Sequence, residues 1–150
     1  MRPLAVEFEI TNPARFEPLR LVFNALRETK ATNAFTDDHS HWLAWFDYDA
    51  RSYFHWATAE ENARYWQEWN ATPVPQRWTD PRFNCGWHFE SMIEAFSNGE
   101  YDLIACEKLD ENHGRLTFQE HSFPFGGTGC MRALIECFGH RVTRDYDAED

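Results

Sequence analysis

The most constraining stretch of this 150-residue chain runs from Glu100 to Tyr146. Two runs, EYDLIACEKL and RLTFQEHS, flank the turn Asp110-Glu-Asn-His-Gly114. Strand-like runs on either side of a turn specify an antiparallel hairpin, and Gly114 is expected to supply its positive φ. The loop Phe123-Pro-Phe-Gly-Gly-Thr-Gly129 then opens onto the helix CMRALIECFG, which Gly139 ends. His140 to Tyr146 return as a strand, and the acidic tail Asp147 to Asp150 is expected to fray.

The chain before this segment supplies the remaining elements. Leu4, Val6, Phe8 and Ile10 alternate with Ala5, Glu7 and Glu9, so Pro3 to Thr11 reads as a strand with one wet face. Asn12-Pro13 breaks it. From Phe16 to Ala31 the period lengthens, with Phe16, Leu19, Val22, Phe23 and Leu26 on one helical face and Pro18 inside the first turn. Trp42 to Tyr48 is apolar and aromatic enough to predict a second strand, with SYFHW as its hairpin partner. Thr58-Ala-Glu-Glu61 has the pattern of a capping box and starts a helix that reaches about Asn70. A connector containing Pro73, Pro75 and Pro81 follows. A further helix spans about Gly86 to Ser97, with Gly99 placed for a left-handed cap. The expected class is therefore α+β: a two-layer single domain with a mixed or mostly antiparallel sheet and about four helices, mainly on one face.

Charge and cysteine usage narrow the partners. The net charge is −11, which disfavours polyanions, so nucleic-acid binding is not expected. Between Glu90 and Glu111 seven acids face Lys108 alone, giving an acidic region that a basic protein could use. The opening residues read as a strand and not as a signal peptide, and no apolar run approaches the ~20 residues of a membrane span. Cys85, Cys106, Cys130 and Cys137 form no CxxC pair. Reduced thiols in the cytoplasm are the expectation.

Three places could carry chemistry. In the loop Gly126-Gly127-Thr128-Gly129, amides at a helix start favour a small anionic ligand. Cys130 in the first turn would have its thiol pKa lowered, and His121 upstream could serve as its base. The plainer reading is a sharp turn off the sheet with Thr128 as the helix cap. No Lys-Ser/Thr follows the loop, and Arg132 stands where a dinucleotide fingerprint needs its third glycine, so both phosphate motifs fail. His39 and His41, if extended, point the same way beside Asp37 and Asp38, a weak metal pattern with no third ligand at a recognisable spacing. His88-Phe-Glu90 has the H-x-E spacing of zinc deaminases, but the P-C-x-x-C half is absent. No cofactor is implied.

The third place is a surface. All seven tryptophans lie between Trp42 and Trp87, and Trp66, Trp69 and Trp78 cluster around the proline-rich connector. Tryptophan is rarely buried completely and is enriched at contact surfaces. Two functions follow from different classes. One is a non-catalytic binding protein, of immunity or adaptor type, that uses acidic surface and tryptophan. The other is a small enzyme or anion binder on the glycine loop with a Cys130/His121 pair. The first is preferred, because every recognised catalytic pattern fails.

Overall fold

A computed structural model of the chain describes residues 3–36, 38–54, 59–77, 87–121 and 128–145. Strand β1 (Leu4–Glu9) leads through a 3-10 turn (Pro13–Arg15) into helix α1 (Phe16–Ala31). Helices α2 (Tyr48–Ser52), α3 (Ala59–Ala71), α4 (Val74–Arg77) and α5 (Phe89–Asn98) follow. Strands β2 (Tyr101–Asp110) and β3 (His113–Glu120), helix α6 (Gly129–Cys137) and strand β4 (Arg141–Asp145) complete the chain. The four longer helices among these lie where the sequence places them.

The four strands form one sheet in the order β2-β3-β1-β4, and every neighbouring pair is antiparallel. With α1 between β1 and β2 and α6 between β3 and β4, this is the split β-α-β arrangement of ferredoxin-like folds. Residues 32–100 are an insertion in it, between α1 and β2. The alternation along each strand decides the two faces. Val6, Phe8, Leu116 and Phe118 are fully buried, and α1 and α6 cover them. Helix α5 lies chiefly against α6 and α1, not against a strand. Among the described residues no helix is long and apolar enough to cross a membrane.

Both sheet edges are blunted. Strand β2 shifts register at Ile104 and again near Leu109, and the Arg27 guanidinium donates to the Ile104 carbonyl at 3.0 Å. The five-residue β4 shifts register between its pairings with Glu7 and Phe8. Bulges and side chains at an edge oppose the addition of further strands.

Several local expectations are corrected. Trp42 to Tyr48 is not a strand: Ser40–Trp45 is a 3-10 helix, and α2 begins at Tyr48 and takes in the expected turn as far as Ser52. The Asp38 carboxylate accepts from the Ser40 amide at 2.9 Å, and the Asp47 carboxylate accepts from the Ala50 amide at 2.8 Å. Such bonds from side chain to backbone compete with a sheet ladder. Burial then recurs every fourth residue, at Trp42, Phe46, Ala50 and Phe54. Of SYFHW, Ser52 ends α2, Tyr53 and Phe54 follow it without forming a strand, and His55 and Trp56 lie outside the described residues, as does Thr58 of the expected capping box.

The glycines also differ from expectation. The hairpin turn is only Glu111-Asn112, because Asp110 pairs with His113, and its Asp110 carboxylate accepts from the Asn112 amide at 2.8 Å. Gly114 has no positive φ. It is small because a Cβ there would stand 2.5 Å from the Phe8 ring. Gly99 has extended backbone (φ −64°, ψ 139°) in place of a left-handed cap, and a Cβ there would overlap the Tyr101 ring at 2.0 Å. Gly139 does end α6 with φ +88°. Asn33 (φ 53°) plays that part for α1, where the Ala34 amide donates to the Thr29 carbonyl at 2.9 Å and the Asn33 amide to Lys30 at 3.2 Å.

Candidate functional site

Each predicted site residue has a definite place except Trp78, Gly126 and Gly127, which lie outside the described residues. At the start of α6, Thr128 is buried and occupies the cap position without capping the helix through its side chain. Its hydroxyl donates instead to the Asp145 carboxylate at 2.6 Å, and Arg132 donates to the other oxygen of that carboxylate at 2.9 Å. Asp145 is 3% exposed, so a carboxylate of the chain itself already sits beside this end of α6. Gly129 faces the Trp87 indole, which would stand 2.8 Å from a Cβ at that position. Arg132 also approaches Glu136 at 3.9 Å, and Glu136 accepts from the Tyr53 hydroxyl at 2.8 Å. This polar chain ties α2, α6 and β4 together, and sequence reading missed it because Asp145 and Thr128 meet only through the fold.

Cys130 is buried, with the Tyr101 hydroxyl 3.2 Å from its sulfur. Burial pushes its thiol up to about 11, against the lowering expected from a helix start, and the Tyr101 contact offsets only part of that rise. A thiol so placed is protonated at neutral pH and is a poor nucleophile. His121, half exposed, lies 3.0 Å from Asp102 at the end of β3. Tyr101 is buried and Asp102 exposed on consecutive positions of β2. The thiol and the imidazole therefore engage opposite faces of the sheet and are not brought together.

Beside Cys130, the Lys30 ammonium donates to the carbonyls of Phe96 and Gly99, each at 2.8 Å, and lies 4.9 Å from the Tyr101 ring centre. Burial lowers its pKa. These contacts satisfy carbonyls at the C-terminal end of α5, so Lys30 acts as a structural clamp.

The two histidines of the metal pattern are separated. His39 turns inward with its Nε2 3.8 Å from Glu94, whereas His41 stays exposed against the Trp42 ring at 5.0 Å. Their backbone is a tight turn and not extended, which removes the common direction that the pattern assumed. Among the described residues no group of three metal-ligating side chains gathers.

The tryptophans divide between core and surface. Trp42 is 2% exposed, while Trp66 is 51% exposed and Trp45 43%. On α3 the Tyr65, Trp66 and Trp69 rings form one cluster, with Tyr65 and Trp69 stacked at 6.2 Å and Trp66 edge-on to both, at 5.1 and 6.3 Å. No described side chain of this 13-residue helix is fully buried. The Arg77 guanidinium lies 5.3 Å from the Trp69 ring and donates to the Thr72 carbonyl at 3.0 Å. Among the candidates, this cluster combines the most exposed tryptophan of the described residues with ring contacts on one helix. No family model, curated protein or solved structure matches the chain.

Proposed function

We propose that the chain is a non-catalytic binding protein, of immunity or adaptor type, that holds a basic protein partner against the aromatic surface of α3. The observation that carries this reading is Trp66, half exposed within a ring cluster on a helix that buries none of its described side chains completely. A large aromatic left in water has a cost that a partner would relieve. Arg77 over Trp69 is an internal instance of the contact an incoming guanidinium would make on Trp66. The net charge of −11 steers a cationic partner toward the chain and repels an anionic one.

The test is titration with an arginine-rich peptide followed by tryptophan fluorescence at increasing salt. Binding that weakens steeply with salt and is lost in Trp66→Ala, but kept in Trp45→Ala, supports the proposal. Binding that survives unchanged in Trp66→Ala, or that ignores ionic strength, rejects it.

A further inference from the structure

A different surface, the face of the sheet opposite α1 and α6, carries an ordered charge pattern. Across the strands in the order β4, β1, β3, β2, one register row is Arg144, Glu7, Arg115, Glu107. The next is Arg141, Glu9, His113, Asp110. Within these rows Arg115 donates to Glu107 at 3.1 Å, Arg141 donates to Glu9 at 3.1 Å, and His113 lies 2.9 Å from Asp110. Taken strand by strand, the face is striped: β4 basic, β1 acidic, β3 basic and β2 acidic. On the other side of the first row Ala5, Thr117 and Ala105 lie side by side, and their short side chains floor a concavity of about 620 Å³. The sheet aromatics Phe8, Tyr101 and Phe118 are buried on the other face.

This stripe order is antisymmetric about the line between β1 and β3. A twofold axis in the interface, parallel to the strands, lays β1 of one copy over β3 of the other and β4 over β2. Every stripe then meets its opposite, and the short-chain floor meets itself. We infer that this face is occupied by a second copy of the chain, in an isologous twofold dimer. Copies at net charge −11 repel one another over most approaches. Here Arg115, Arg141 and Arg144 stand against Glu7, Glu9, Glu107 and Asp110, so the face is close to neutral and complementarity replaces most of the repulsion. Aligned sheets pack face to face at about 10 Å, a spacing that a floor of alanine and threonine permits. The blunted edges leave the face, and not an edge, as the route for two sheets to meet.

Sedimentation equilibrium on the full chain, with charge-swapped variants, tests this. The wild-type chain should show twice the chain mass at about 50 μM and about 20 mM salt, and shift toward monomer at about 0.5 M salt. Arg115→Glu carries acids at both central positions and Glu7→Arg carries bases at both, so each should self-associate at least about tenfold more weakly. Mixed together, the two should form a heterodimer, which charge pairing inside one chain could not produce. Circular dichroism confirms that each variant is folded, and Arg144→Glu with Glu107→Arg repeats the test on the outer stripes. A wild-type chain that stays monomeric to about 0.5 mM at low salt overturns the inference and assigns the face to some other occupant. Folded variants of both pairs that fail to associate when mixed overturn it as well.

Discussion

Where the strands meet α1 and α6, aliphatic side chains (Val6, Leu19, Val22, Leu26, Leu116, Leu134 and Ile135) are buried together with the rings of Phe8, Phe16, Phe23, Tyr101, Phe118 and Phe138. Among the described residues of the insertion, 32–100, rings predominate in the interior: Trp42, Phe46, Phe54, Phe89 and Phe96. Phe46 meets Phe54 edge-on at 6.3 Å and Phe89 at 5.0 Å, and it stacks on Phe138 of the frame at 5.5 Å. The frame is tied by ladder hydrogen bonds between strands distant in sequence. The insertion is tied by ring contacts and by side chains such as Asp47 and Arg51 that satisfy nearby backbone. A ladder registers every residue, whereas a ring cluster fixes only a few points. The frame should therefore open as one cooperative unit, and the insertion should open first.

The largest effect should come from the frame. Phe118→Ala removes a fully buried ring under the central strands and should cost about 3–5 kcal/mol, with amide exchange accelerating in frame and insertion alike. Phe54→Ala should accelerate exchange in the insertion while β1 and β3 stay protected, and equal acceleration of both would abolish the distinction. Next, Gly114→Val places side-chain atoms where the Phe8 ring lies and should cost about 3 kcal/mol by overpacking. An unchanged urea midpoint would show that Phe8 can yield.

At the junction between the two regions, Lys30→Met keeps the stem but loses the bonds to Phe96 and Gly99. The expected cost is about 2 kcal/mol, with faster exchange concentrated in α5. Smaller again is a pH effect in the frame. His140 is 3% exposed, its Nε2 lies 3.1 Å from the Arg15 carbonyl, and burial lowers its pKa. The unfolded chain then binds the proton more readily than the folded one. The stability contribution is complete above about pH 6.5 and is lost as pH falls through that value toward the folded-state pKa. His140→Gln should flatten this part of the profile in urea titrations. Least of all, Trp66→Ala should change stability by less than about 0.5 kcal/mol, because the ring is half exposed. A larger loss would make Trp66 a structural residue.

The frame was legible because its signals are periodic and local. Alternation in β1 and the spacing of Phe16, Leu19, Val22, Phe23 and Leu26 each name an element from its own residues. The insertion was misread at Trp42 to Tyr48, where an aromatic run imitates a strand. The decisive spacing, every fourth residue from Trp42 to Phe54, extends beyond the run itself. At the candidate sites, Cys130 could be placed in the first turn of α6 from sequence. Its surroundings could not, because Tyr101 and Lys30 arrive from distant elements. Whether burial or helix dipole governs the thiol depends on those neighbours. The partition of the tryptophans into core and surface is equally a property of packing and not of composition.

Lys30 belongs to the last turn of α1 and grips the carbonyl of Gly99, two residues before β2 begins. The long excursion thus leaves the frame and rejoins it within the span of one lysine side chain. A polymer loop pinned at its neck can change length at little entropic cost. Such a loop is a place where new surface can be elaborated without re-registering a single strand.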